Sequence, residues 1–257
     1  MFRNELAALE ALHTDGKIVA RNKTARRAGL LYLLVILIAP YRLICVPTLL
    51  FVDGNMAATI ANIATHEMLF RFGLAADLTC GALQAFMVLA LFRLLGQVDR
   101  RHGITMLLLG GALVPALYFF NVLNDAAVLL LVHDSDALLA FEPAQRMALA
   151  TLFLHLHGQA VNVAETLWGL WLFPLARLVL RSGFLPRLFG YGLILNGLAY
   201  VIQSLAWALL PDWQDTLSSL LGPLQFVEVL FMLWLLVLGA RPGFRRTQAV
   251  SAAPTGA

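Results

Sequence analysis

The run FLHLHGQAVNVAETLWGLW, from Phe153 to Trp171, sets two histidines, a glutamine, an asparagine and a glutamate inside an otherwise apolar stretch. At about 100° per residue, His155, Gln159, Asn162 and Thr166 fall within about 60° of one another, and Gly158, Glu165 and Gly169 flank them. That is one polar, small-residue face of a helix. His157 points about 200° away from His155, so the pair cannot clamp a metal as i, i+4 histidines do. Each histidine can supply a single ligand at most, and His157, off the main face, reads as structural.

Four other apolar stretches carry polar positions at helical spacing. Gly73, Asp77, Gly81 and Gln84 form one set; Tyr118, Asn121, Asn124 and Asp125 form another, beyond a kink expected at Pro115. Gly192, Asn196, Tyr200 and Gln203 form the third, and Gln225 with Glu228 the fourth. Arg42 stands between Pro40 and Pro47. The candidate cavity, ion- or ligand-binding residues are therefore Asp77, Asp125, His155, Gln159, Asn162, Glu165, Asn196 and Glu228. The amides Gln84, Asn121, Asn124, Asn196 and Gln203 also fit interhelical hydrogen bonding. Tyr118 and Tyr200 fit packing, and Arg71 fits a surface pair with Glu67 four residues before it.

A charged residue at the centre of a membrane helix costs roughly 2.5–3.5 kcal/mol. Arg42, Asp77, Asp125, Glu165 and Glu228 together would cost on the order of 12–17 kcal/mol if ionised and facing lipid. That rivals the stability of a whole domain, so they must face inward, pair or be neutral. Arg42 keeps its proton and is expected to be the counter-ion of Asp77 or Asp125.

The elements that position these groups follow from composition. The chain has 257 residues, 60% hydrophobic and 13% charged, with a mean hydropathy of +0.80. Soluble domains carry about 25% charged residues, so the composition is that of a membrane protein. Six segments exceed the roughly 20 apolar residues a crossing helix needs: residues 28–51, 68–95, 104–132, 147–180, 188–210 and 217–240. The expected fold class is an all-α, six-helix polytopic bundle. It is preceded by a polar N-terminal segment, 1–27, and followed by a disordered tail, 241–257. Phe2, Leu6, Leu9 and Leu12 would share one side of a short surface helix. No cleavable signal and no internal repeat stand out.

Fifteen of the eighteen basic residues fall on one side of this topology, and the opposite connections hold Arg146 with seven acids. The positive-inside rule then puts both termini in the cytoplasm. Cys45 and Cys80 sit in apolar runs and read as buried hydrophobes. There is no CxxC, GxGxxG, P-loop or HExxH, so no metal, cofactor or nucleic acid is expected. The expected partners are the lipid bilayer and a small-molecule or ion ligand.

The stretches ARRAGLLYLLVILIAP, ANIATHEMLFRFGLAADL, LFLHLHGQA and RSGFLPRLFGYGLILNGLAYVIQS resemble the domain-of-unknown-function 4386 family of bacterial multi-spanning membrane proteins. The resemblance runs from about Ala25 to Gly239, with LFRFG and RSGFLPR as its most distinctive pieces. The two prolines of the first span depart from the smoother run expected there. The resemblance implies a helical bundle in a bacterial cytoplasmic membrane and brings no catalytic residues. RSGFLPR also reads locally: Gly183 ends one helix in a left-handed cap and Pro186 begins the next. Three classes of function fit: transport or ion handling, non-catalytic binding of a lipid, quinone or partner, and a metal-assisted intramembrane enzyme. The missing histidine cluster counts against the last.

Overall fold

The computed structural model describes residues 2–133 and 140–240, with side chains from residue 16 onward apart from Lys17. Asp134, Asp136, the tail and the side chains of Phe2, Leu6, Leu9 and Leu12 lie outside that description. Apart from short connections the described residues are helical, with no strand. Six stretches are long and apolar enough to cross a membrane: Ile18–Leu50, Glu67–Leu95, Arg100–Val132, Pro143–Ser182, Arg187–Leu209 and Pro211–Val237. They match the six expected spans within a few residues, except that several begin a turn or more earlier. Large apolar side chains such as Leu37, Phe72, Phe86, Phe120 and Leu130 point outward, as they do when the solvent is hydrocarbon rather than water. This is a multi-pass membrane protein.

The first span begins as α1, Phe2–Pro40, so the N-terminal segment and the span form one continuous helix. At Tyr41–Cys45 the helix widens into a π turn, then resumes as α2, Val46–Leu50. The same device recurs in the third span. There α5, Arg100–Leu108, passes through a π turn at Leu109–Leu113 into α6, Val114–Val132. Each π turn ends two residues before a proline, Pro47 and Pro115. A proline has no N–H to give and its ring crowds the carbonyl four residues back, here Leu43 and Gly111. Widening that turn relieves the crowding, which accounts for the kink at Pro115 and for the prolines in the first span. Gln84 Nε2 donates to the freed Gly110 carbonyl at 3.3 Å.

The first connection is not an open loop. It holds α3, Met56–Thr65, whose Asn55 cap accepts from the Ala58 N–H. Asn62 Nδ2 donates to the Leu50 carbonyl at 3.0 Å, tying α3 to the end of α2. The second span is α4, Glu67–Leu95. The fourth and fifth, α7 (Pro143–Ser182) and α8 (Arg187–Leu209), form a tight antiparallel pair. Their turn is made by Gly183 in the left-handed region (φ 72°) and by Pro186 at the cap of α8. Close packing depends on Gly169, where a Cβ would lie 2.5 Å from the Gly197 carbonyl oxygen. The sixth span is broken: α9, Gln214–Leu221, gives way to a 3-10 turn at Gly222–Gln225 before α10, Phe226–Val237. Asn22 Oδ1 accepts from the Ala240 N–H at 2.9 Å, so the start of the first span and the end of the sixth lie at the same end of the bundle.

Two apolar cores divide the interior. The larger, including Tyr32, Met87, Val114, Trp171 and Phe231, fills the end nearer the termini. The smaller, including Val46, Leu50, Ile63, Phe70 and Leu154, closes the far end beneath α3. Between them runs a polar layer.

Candidate functional site

The layer's position follows from the order of residues along each helix. Arg42 separates Tyr32 of the larger core from Val46 of the smaller, and Asp77 separates Phe70 from Met87. On α6, Asp125 lies between Val114 and Val128; on α7, His157 lies between Leu154 and Trp171. Four spans thus bring these four side chains together, all nearly inaccessible, with Asp125 wholly so.

Arg42 leaves the first span from within the π turn and meets Asp125 in a forked pair. Nε donates to Oδ2 at 2.7 Å and Nη2 to Oδ1 at 2.8 Å. Its guanidinium carbon stands 5.7 Å from the centre of the Phe70 ring. Gly73 makes room for the arginine stem, since a Cβ there would lie 2.9 Å from Arg42 Cδ. Of the two acids expected as partners, Asp125 takes both of these hydrogen bonds. Asp77 receives no hydrogen bond among the described residues, although the charge of Arg42 reaches it.

His157 stands between the two acids. Its Nδ1 is 3.3 Å from Asp125 Oδ1, and its Nε2 is 3.9 Å from Asp77 Oδ2. The shorter distance is within reach of a hydrogen bond but off its line, so buried Nδ1 remains without a bonded partner. Asn121 Nδ2 donates to the His157 carbonyl at 3.3 Å, and Asn124 Nδ2 to Asn121 Oδ1 at 2.9 Å, fixing α6 against α7. A cavity of about 20 Å³ opens beside Asp77, with Asn121, Tyr118 and Trp168 on its wall. It is large enough for one water.

A second polar cluster lies around Glu228, in the first turn of α10 just beyond the break in the sixth span. A carboxylate there is favoured by the helix N-terminus. Glu228 accepts from the Tyr32 hydroxyl and from Asn196 Nδ2, the latter at 2.7 Å. Tyr200 stands beside the same carboxylate. Between the clusters, Trp168 stacks on Tyr118 (6.3 Å) and meets Tyr200 edge-on (5.8 Å).

Four of the eight candidate residues enter these clusters: Asp77 and Asp125 in the first, Asn196 and Glu228 in the second. His155 and Gln159 do not; both are exposed on the outside of α7. Half-buried Asn162 enters neither cluster through its side chain; its backbone carbonyl accepts from Ser204 Oγ on α8 at 2.8 Å. Half-buried Glu165 has no hydrogen-bonded partner among the described residues. The correction on α7 is therefore an exchange of histidines: His157, read as structural, faces the acids, and His155, the expected cavity residue, faces out. Ala150, His157, Ala164 and Trp171, seven residues apart, are all buried. That heptad row was the available signal, and the more polar face masked it. Tyr32 carried no signal of its own. Cys80 is buried as expected, whereas Cys45 is exposed, because the π turn that turns Arg42 inward leaves Cys45 on the outer face.

Asp77, Asp125 and His157 each offer a ligand atom, all within 4.8 Å of one another. Charge argues against a divalent ion there. The Arg42–Asp125 pair is neutral, so Asp77 leaves the layer one negative charge in excess. One added positive charge balances it, and two would leave a buried net positive charge beside a guanidinium. No curated protein and no solved structure matches the chain. Residues 27–239 match one family along nearly the whole helical bundle, and the chain belongs to it: Domain of unknown function (DUF4386).

Proposed function

We propose that this protein handles protons within the membrane, with Asp77 and His157 as the proton-binding pair and Arg42–Asp125 as the fixed ion pair that frames them. The observation that carries this reading is the buried Asp77 carboxylate, which lacks a hydrogen-bond donor among the described residues and faces His157 Nε2 across 3.9 Å at the edge of a water-sized cavity. A neutral imidazole can donate to only one acid, whereas an imidazolium presents an N–H to each. The layer therefore has two arrangements, proton on Asp77 or proton bridging the acids through His157. Ionisable groups facing the bundle interior, beside broken and π-widened helices, are features of proton and substrate pathways. The smaller core under α3 would close the far side of the path and the cavity would admit water. Basic residues crowd the terminal end, which supports cytoplasmic termini in a bacterial inner membrane.

Reconstituted vesicles test the proposal. An imposed pH gradient should collapse faster with protein than without, and Asp77→Asn should return the rate to that of empty vesicles. Flux unchanged by Asp77→Asn would end the proton reading. Flux that requires sodium and not a pH gradient would assign the single positive charge to a monovalent metal cation instead.

A further inference from the structure

At the terminal end of the bundle, α1 and α10 cross at Gly29, where a Cβ would lie 2.6 Å from the Leu236 nitrogen. Beside that crossing, mostly along α1, lies an open groove of about 520 Å³. Lys23, Arg26 and Arg27 line it, with Leu30 and Leu236 on the membrane side of these cations and Val19 and Asn22 on the other. No acid lines it among the described residues. Arg26 Nη2 leans across to the Val237 carbonyl at 3.4 Å, holding its guanidinium over the cleft. Lys23 and Arg27 are exposed.

We infer that this groove binds an anionic phospholipid, with the headgroup phosphate between Lys23, Arg26 and Arg27 and an acyl chain along Leu30 and Leu236. Three features together select that ligand. The basic residues stand immediately before the apolar run that starts at Ala28, the depth at which lipid phosphates lie. Leu30 and Leu236 stand on the membrane side of the cations, an apolar contact that a free anion would not use. Three cations with no facing acid among the described residues favour a net negative headgroup over a zwitterionic one, and planar guanidinium suits phosphate oxygens. The chain's own tail is a poor occupant, because Arg241, Arg245 and Arg246 would repel the rim. Unlike the polar layer, this site is independent of the proton reading.

Native mass spectrometry of the detergent-purified protein tests it, with phosphatidylglycerol, phosphatidylcholine and inorganic phosphate as probes. Phosphatidylglycerol should be retained selectively, and each neutralised cation (Arg26→Gln, then Lys23→Gln with Arg27→Gln) should weaken retention by about fivefold. Leu30→Asp should weaken it with the cations intact. Arg101→Gln with Arg177→Gln, which removes two positive charges from a separate basic patch, should leave retention unchanged. Equal retention of phosphatidylcholine in the native protein would overturn the inference without any variant. So would an equal loss from the Arg101 and Arg177 changes, since the attraction would then be diffuse. Competition by inorganic phosphate at similar concentration would reduce the site to a simple anion site and remove the lipid.

Discussion

The bundle buries acid in two ways. Glu228 is surrounded by neutral donors: the Tyr32 hydroxyl and the Asn196 amide hold both of its oxygens at the start of a helix. Asp77 has no hydrogen-bond donor among the described residues and sits beside a charged pair that is already closed on itself. The first arrangement answers the cost of burial with hydrogen bonds. The second leaves that cost standing, and a satisfied neighbour, Asp125, shows that the fold had the means to remove it. On the proton reading proposed above, the buried acid left without a donor is the one that changes charge. That contrast separates the residue we assign to function from the residue we assign to structure, although the chain spaces them alike.

The contrast predicts an order of effects. Arg42→Met should be the most damaging change, because it strands Asp125 in a wholly buried site. A loss of about 3–5 kcal/mol is expected, read as a lower unfolding midpoint in detergent, with partial recovery in Arg42→Met/Asp125→Leu. Glu228→Gln should cost about 1–3 kcal/mol, since the amide turns a donor toward Asn196 or Tyr32, while proton flux persists. Asp77→Asn should do the reverse, abolishing flux with stability equal to or above native. If Glu228→Gln abolished flux and Asp77→Asn only destabilised, the two assignments would have to be exchanged. Gly73→Ala should cost about 1–3 kcal/mol by pushing on the Arg42 stem, and it should slow flux only as far as it displaces Arg42.

The smallest effect lies outside the membrane. Asp99, in the turn between the second and third spans, sits 2.9 Å from His102 Nδ1 and accepts from the His102 N–H at 3.2 Å and from Arg181 at 2.7 Å. His102, then Arg181, hold its carboxyl down from the usual 3.8 to about 2. A depressed folded-state value means the contribution is present above pH 3.8 and is lost as the pH falls toward 2. Asp99→Asn should therefore flatten a small dependence of the unfolding midpoint in that window and leave neutral-pH flux unchanged.

Local pattern carried much of this. Length and hydropathy were enough to place all six spans, because hydrocarbon forces every backbone group into a helix. Gly183 and Pro186 marked the turn between α7 and α8 by backbone conformation alone. That Arg42 needs an acid followed from its permanent charge. Other features had no local mark. α3 is too short to announce itself as a crossing helix, and the break at Gly222–Gln225 was marked only by the Gly222-Pro223 pair inside an otherwise apolar run.

The residues themselves therefore determined a six-helix membrane protein with buried acids and one buried cation, since composition and period act within a single helix. Only the tertiary structure decided which acid closes on Arg42, which histidine faces the layer, and which carboxylate is left unsatisfied. Those outcomes depend on how each helix is rotated about its own axis, and that rotation is set by close contacts between helices: Gly73 against Arg42, Gly169 against Gly197 and Gly29 against Leu236. A polar stripe on one helix says that a face differs from the others. It does not say what stands across from it.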